Sequence, residues 1–505
     1  MNRPFCYYVL IICLGLLPSC YNEMEFAPGT DEFSSLMYIN GMPVTTDIQS
    51  KQMLFPVDSF HCFEAQIKYE DGCEIYIDGE NIENGNFYDF RDINKDTSFK
   101  VDIYNQKKTK KTYILKFTLL PVIQFKHHYK KILDEPKGPA LFSMVSSKNY
   151  CVNYCGVETR GGTANLRPKK SYGFEFWCDY KCRSNKDTSL MGMYTDDDWI
   201  LDAVYNDFSR MRNRVSFDLW DKIQHDAIKN EHNVLYSSIK GQYVELFINN
   251  KYNGLYCLNE RIEDKMLGIS KDISGTKGFL YKSEGWSDAN MLTGLPDTTI
   301  IDAIGRWSEW EQKSPDPDNG LIWMPLYRFI DFIINSSDEE FCDKISNYMV
   351  TDQFIDFMIL VNVICGVDNV GKNYYLASQS SDSAFYFLPW DMDATWGRNH
   401  RGEKISADKH ISFQLFQKII RTNPDDFNAQ LKNRYFNLRK EVITQKSLTG
   451  LFDHYFELLN NSGAVERNNN KWPVTKSDIK KETEYIYDWL KKRLQYLDGY
   501  ISSIE

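Results

Sequence analysis

The residues best suited to chemistry gather in one stretch. Val367-Asp368-Asn369-Val370-Gly371-Lys372-Asn373 sets a carboxylate five residues ahead of a carboxamide, and Asp391-Met392-Asp393 adds two carboxylates about twenty residues on. Phosphoryl transfer needs these parts: an Asp to accept the proton of a hydroxyl, and an Asn and a further Asp to hold magnesium against phosphate oxygens. Alone, Asp-x4-Asn in a loop rich in Asp, Asn and Gly reads as a turn, because these side chains hydrogen-bond the local backbone. The neighbouring Asp-x-Asp gives the pattern its weight.

Phosphates also need cations. Arg160-Gly161-Gly162-Thr163-Ala164-Asn165-Leu166-Arg167-Pro168-Lys169-Lys170-Ser171-Tyr172 supplies glycines that allow close backbone approach to an anion, then two lysines entering a strand. The plain alternative is a solvated basic loop. Arg210, Arg212 and Arg214 on an expected helix either meet phosphates or pair with acidic surface.

The elements that must position these groups follow from apolar periodicity. From Ser35 to Leu120, alternating segments such as Cys62 to Ile67, Phe99 to Tyr104 and Lys111 to Phe117, with Asp71-Gly72 and Asp78-Gly79 turns, predict a small β-sandwich of immunoglobulin type over residues 34–120. Beyond Leu120-Pro121, strands (Pro139 to Val145, Tyr172 to Phe176, the hairpin Tyr243 to Leu258) give way to helices from near Ser209, Met324, Asp338, Thr351 and Leu431. A last helix is expected near Thr475 to Asp478, where short polar residues cap it. The class is α+β, with residues 121–505 as a two-lobed domain. The 505 residues carry a net charge of -11, which argues against a dedicated nucleic-acid binder.

At the N-terminus, Arg3 precedes an apolar run from Phe5 to Leu17, too short to span a bilayer. Leu17-Pro18-Ser19-Cys20 resembles the lipobox of bacterial lipoproteins. That resemblance implies a signal peptide over residues 1–20, a lipidated Cys20, and a bacterial cell-envelope protein held at a membrane, periplasmic or surface-facing, for which the outer membrane is the expected site. An ordinary secretory signal is the alternative. Nine cysteines remain after Cys6, Cys13 and Cys20, and the Cys151/Cys155 and Cys178/Cys182 spacings suggest two disulfides between neighbouring strands, ahead of free thiols or zinc.

Five blocks in order resemble the spore coat protein H (CotH) kinase family, whose domain is an atypical protein-kinase-like fold: Arg160 to Phe176, Asp196 to Ile200, Met211 to Asn213, Tyr243 to Ile262 and Asp368 to Gly397. The resemblance implies a kinase that uses ATP with Mg2+ or Mn2+ to phosphorylate Ser or Thr of a surface or envelope protein. It makes Asp368 the catalytic aspartate and Asn373 and Asp391 the metal ligands, with Asp393 as the competing ligand. Lys170 is its first choice for the phosphate-binding lysine and Lys169 its second, with Arg160 and Arg212 as further nucleotide contacts. Some positions depart from kinases. No His-Arg precedes Asp368, Asp391-Met392-Asp393 stands where Asp-Phe-Gly would, and the helix from Ser209 offers Asp218, Asp221 and Asp226 before Glu231, leaving the lysine's acidic partner unassigned. A catalytically weak scaffold that binds glycan or protein, or a transferase acting on envelope polymers, remains open, as does the oligomeric state.

Overall fold

Strand alternation builds the first part of the molecule. The computed structural model describes residues 35–505 apart from 183, 225–237, 270, 273–274, 277, 298 and 382. The signal segment, Cys20 and the Asp226 and Glu231 alternatives lie outside the described residues. A four-stranded sheet (Met42–Pro43, Tyr38–Ile39, Phe63–Lys68, Phe87–Phe90) and a six-stranded sheet (Thr45–Asp47, Gln52–Pro56, Lys110–Thr118, Phe99–Tyr104, Glu74–Ile77, Glu80–Ile82) share one apolar core, in which Phe90, Phe99 and Phe117 meet edge-on.

The chain then runs directly into a closed barrel of seven strands: β1 (Val122–Lys126), β2 (Gly138–Val145), β3 (Tyr150–Arg160), β4 (Ser171–Trp177), β5 (Asp198–Asp202), β6 (Gly241–Ile248) and β7 (Lys251–Asn259). The order is 1-2-3-4-5-7-6, and a parallel β1–β6 pairing closes it. Alternation fills the interior with Phe142, Val157, Phe174, Phe176, Trp199, Leu201 and Tyr256. Their neighbours Arg160, Asp198, Asp202 and Asn259 therefore point outwards. Gly156 in β3 admits the Trp177 ring, which a Cβ would meet at 2.2 Å.

Below the barrel lies a second sheet, ordered β9-β8-β10-β11, from β8 (Phe279–Ser283), β9 (Trp310–Ser314), β10 (Tyr374–Ser378) and β11 (Tyr386–Pro389). It is set among helices that share the largest apolar core. Those used below are α1 (Arg212–Ile223), α2 (Thr351–Ile364), α3 (Ala464–Lys471) and α4 (Ile479–Ser503). The Asp478 side chain caps α4 by accepting from the Lys481 N–H at 3.1 Å, an interaction that contributes ~1 kcal/mol. Residues 35–505 form one compact unit, and among the described residues no helix is long and apolar enough to cross a membrane.

The expected disulfides are absent from the structure: all nine described cysteines are free. Cys151 and Cys155 share strand β3, so they are displaced along one strand and not across two. Cys155 is buried and its thiol pKa is pushed up by that burial. Cys178 and Cys182 are both exposed in one turn.

Candidate active site

The hairpin β10–β11 explains the spacing of the acidic motif. Tyr374 pairs with Pro389, so the residue before β10 and the residues after β11 emerge side by side. Trp390 N–H donates to the Asn373 carbonyl at 2.9 Å, and Asn373 Nδ2 donates to the Asp391 carbonyl at 3.2 Å. Asn373 (φ 61°) and Asp391 (φ 47°) both adopt the left-handed conformation, which Asn and Asp tolerate better than most residues. Asp368 opens a short 3-10 turn just beyond α2, which ends on Cys365 with φ 55°. Asn369 ties that turn down by donating to the carbonyls of Asn373 (2.9 Å) and Trp390 (2.8 Å). Gly371 is glycine because the Trp286 indole lies over it, 2.3 Å from where a Cβ would stand.

Helix α1 clamps the acidic loop from the other side. Met392 N–H donates to Asn213 Oδ1 at 2.9 Å, Trp396 Nε1 donates to Ser216 Oγ at 2.8 Å, and the Phe217 ring meets Trp390 edge-on at 6.0 Å. The Met211 to Asn213 block thus has a physical role in holding Asp391-Met392-Asp393.

Together these elements bring Asp368, Asn373, Asp391 and Asp393 to a cleft of about 230 Å³ beneath the barrel, with Arg160 and Lys169 on its barrel side. Sequence reasoning missed three charged groups that also line it: Asp202 at the end of β5, Lys282 near the end of β8 and Glu284 just beyond it. Their signal is strand parity, readable only once the inward faces of the barrel and the sheet are known. Lys282 pairs with Glu284 and sits 5.9 Å and 6.0 Å from the Tyr375 and Trp390 ring centres. Lys372 Nζ lies 3.8 Å from Asp368 Oδ2.

Among the described residues, Asp391 and Asp393 have no ion-pair partner in the cleft. Asp391 opens onto the cleft, yet the surrounding protein removes it from bulk water and, with the negative charge of Asp202, pushes its carboxyl up to about 6 against the pull of Lys372 and Lys282. Burial, then Asp391 and Asp202, raise Asp393 well above the usual carboxylate range, and burial raises Asp202. Carboxylate and carboxamide oxygens are the donors that magnesium prefers, so Asn373, Asp391 and Asp393 fit a divalent ion by chemistry and by unmet charge.

Two expected nucleotide contacts lie elsewhere. Lys170 does not line the cleft; its ammonium donates to the Asn165 carbonyl beside its own loop. Arg212 is also absent from the lining and is 0% exposed, paired with Asp207 and Glu482 and donating to the Thr395 carbonyl at 2.9 Å. Its charge is spent on joining α1, α4 and the acidic loop. Lys169 reaches the cleft wall, but its ammonium donates to the carbonyls of Ala203 (2.8 Å) and Leu255 and to Asn468 Oδ1 (2.8 Å). Burial, with Arg210 adding, lowers its pKa well below the ordinary value. Arg160 makes no ion pair or hydrogen bond through its guanidinium among the described residues, which leaves it a free cation on the barrel side.

A second acidic group lies on the barrel. Among the described residues, Asp187, Asp196 and Asp197 are the only trio of acidic, His or Cys ligands within 4.8 Å of one another. Lys265 Nζ sits 3.2 to 3.4 Å from all three.

Comparison with known proteins decides the family. The CotH kinase protein family matches residues 157–497. The chain belongs to that family. A CotH relative, the inner spore coat protein H of Bacillus subtilis (strain 168), is 23% identical over 381 residues, covering 74% of this chain and 93% of the relative. A solved Shewanella oneidensis MR-1 complex of the toxin-antitoxin proteins HipA and HipB with operator DNA aligns at a TM-score of 0.30 and 9% identity. That alignment covers 61% of this chain and 62% of the other, too loose a likeness to carry the fold.

Proposed function

We propose that this CotH family member is an atypical protein kinase that transfers the γ-phosphate of ATP to a Ser or Thr hydroxyl of an envelope protein, using Mg2+ or Mn2+. The observation that carries this reading is the meeting of Asp368, Asn373, Asp391 and Asp393 in one cleft, with Arg160 and Lys282 beside them. Asp368 accepts the proton of the acceptor hydroxyl as its oxygen bonds to the γ-phosphorus. The bond from that phosphorus to the bridging oxygen breaks, and ADP leaves. Asn373, Asp391 and Asp393 are the residues that would hold the metal, which when bound neutralises charge on the phosphates. Arg160 and Lys282 are assigned to the phosphate oxygens in place of Lys170 and Arg212.

The family relationship and the name of the spore coat relative support an envelope or coat location. The lipobox-like Leu17 to Cys20 supports attachment through an acylated Cys20, and the two N-terminal sheets are read as an immunoglobulin-like spacer. A catalytically weak scaffold on the same fold is favoured by one feature, the saturation of Lys169 by protein acceptors.

One assay separates the two. Wild-type protein given labelled ATP with Mg2+ or Mn2+ should label itself or an added protein substrate. Asp368→Ala should be slower by about 10²–10⁴-fold, the usual contribution of a positioned acid or base, with an unchanged melting temperature. Equal labelling by both proteins, or none by wild type, removes the kinase reading.

A further inference from the structure

A groove larger than the cleft lies away from it, where the N-terminal sheets meet the barrel. It encloses about 730 Å³, within the range of small-ligand sites. One wall is the turn between strands Thr45–Asp47 and Gln52–Pro56, with Lys116 and Lys95; the other is the β6–β7 turn and helix α3. The walls are pinned to each other. Tyr252 N–H donates to Asp47 Oδ2 at 2.9 Å, Ile48 N–H to the Asn250 carbonyl at 3.2 Å, and Arg467 to Thr118 Oγ1 at 3.2 Å. Beneath them Arg467 is neutralised by Glu245, which is 0% exposed and also accepts from Tyr252 OH at 2.8 Å. The groove is therefore preformed and its deepest charges are already matched.

Its remaining cations are not. Lys95, Lys116, Lys251 and Lys471 all line this space, and among the described residues none has a carboxylate within 4.0 Å. The Lys471 ammonium lies 5.9 Å from the centre of the Trp472 ring. Asp47, Asp96 and Glu466 line the same groove without pairing with them. Four lysines without an ion pair thus line one concavity in a chain with 70 acidic and 59 basic residues. With Arg467 matched by Glu245, the lining keeps four lysines without an ion pair beside three carboxylates, an excess of positive charge that favours an incoming anion. Between the lysines the lining offers the amides of Gln49, Gln52 and Asn470 and the hydroxyl of Ser50, all exposed. The apolar lining residues Met53, Leu54 and Phe247 are 1 to 4% exposed and give no anchor for an apolar side chain.

We propose that this groove binds an anionic oligosaccharide, its carboxylates or phosphates meeting the lysines and its hydroxyls meeting the amide side chains. The site is independent of the cleft and of any phosphoryl transfer. The test is titration calorimetry on the folded protein at low salt with four probes: oligogalacturonate, a glycerol-phosphate oligomer, a neutral maltooligosaccharide and poly-glutamate. One or both anionic saccharide-type probes should bind, more weakly as salt rises. Two rim charges acting together are worth about a tenfold change, so Lys116→Gln/Lys251→Gln should bind at least that much more weakly with an unchanged melting temperature. Asp368→Ala should bind like wild type. Binding of oligogalacturonate alone assigns carboxylates, and binding of the glycerol-phosphate oligomer alone assigns phosphates. Binding of neither, equal binding of the neutral sugar, tighter binding of poly-glutamate, or an unaffected double variant overturns the proposal.

Discussion

Two acidic clusters in this molecule meet opposite fates. Asp187, Asp196 and Asp197 are drawn tightly together, and Lys265 lies against all three. Asp391 and Asp393 stand in the cleft with Asp202 across from them, and among the described residues neither has a Lys or Arg within 4.0 Å. In the first cluster the protein supplies its own counter-charge. Asp196 and Asp197 hold the Lys265 ammonium charged against the lowering effect of burial. In the second the carboxylates repel one another, and Asp391 is raised to about 6 by burial and by Asp202. Tight clustering thus goes with a structural salt link here, whereas carboxylates without an ion-pair partner in a cleft are what the proposed metal site requires.

The sharpest way to break this contrast is Asp391→Asn. Wild type should gain melting temperature with Mn2+ and ATP, because a ligand of the native state stabilises it, and the variant should lose that gain. Asp391 also has a raised pKa when folded, so between about pH 4 and 6 the native state keeps a proton that the unfolded chain has released. Its contribution to metal-free stability is present below that window and is lost as pH rises through it. Asp196 is raised to about 6 as well, so the difference between wild type and Asp391→Asn in pH-dependent melting isolates the cleft. Identical pH profiles would refute the uncompensated state of Asp391.

A smaller effect is expected at the other cluster. Lys265→Gln should lower the melting temperature at pH 7 by roughly 1–3 °C and create a Ca2+ or Mn2+ response that wild type lacks there. Absence of both changes would show that the lysine is incidental. Least affected should be Lys170→Gln, whose ammonium donates to the Asn165 carbonyl of its own loop. Its stability should stay within about 0.5 kcal/mol of wild type, and its labelling rate should be unchanged; a large loss of labelling would return Lys170 to the nucleotide.

The legible part of the site was the local part. Asp368, Asn373, Asp391 and Asp393 sit in two short segments joined by one hairpin, so their types and spacing survive translation into space. The start of α4 within Thr475 to Asp478 was readable for the same reason, and Asp478 is the residue that caps it. What failed were one-residue decisions about facing. Just ahead of β4 two adjacent lysines turn different ways, Lys169 to the cleft wall and Lys170 back to its own loop. Asp202 and Lys282 carry no motif and become cleft residues only because Leu201 and Tyr281 point into cores. Arg212 was misjudged because its partners, Asp207 and Glu482, lie 5 and 270 residues away and meet only through tertiary packing. The cysteine spacing misled because a four-residue separation in one strand resembles, in sequence, a pair across two.

Closure of the barrel has a consequence for any shortened form of the chain. The family match begins at residue 157, inside β3, yet β1 and β2 complete the ring. Trimming to that residue would uncover the flanks of β4 and β6 and turn a seamless wall into two sticky rims. Such a fragment would be expected to self-associate, so a shortened form must keep everything from Val122 onward.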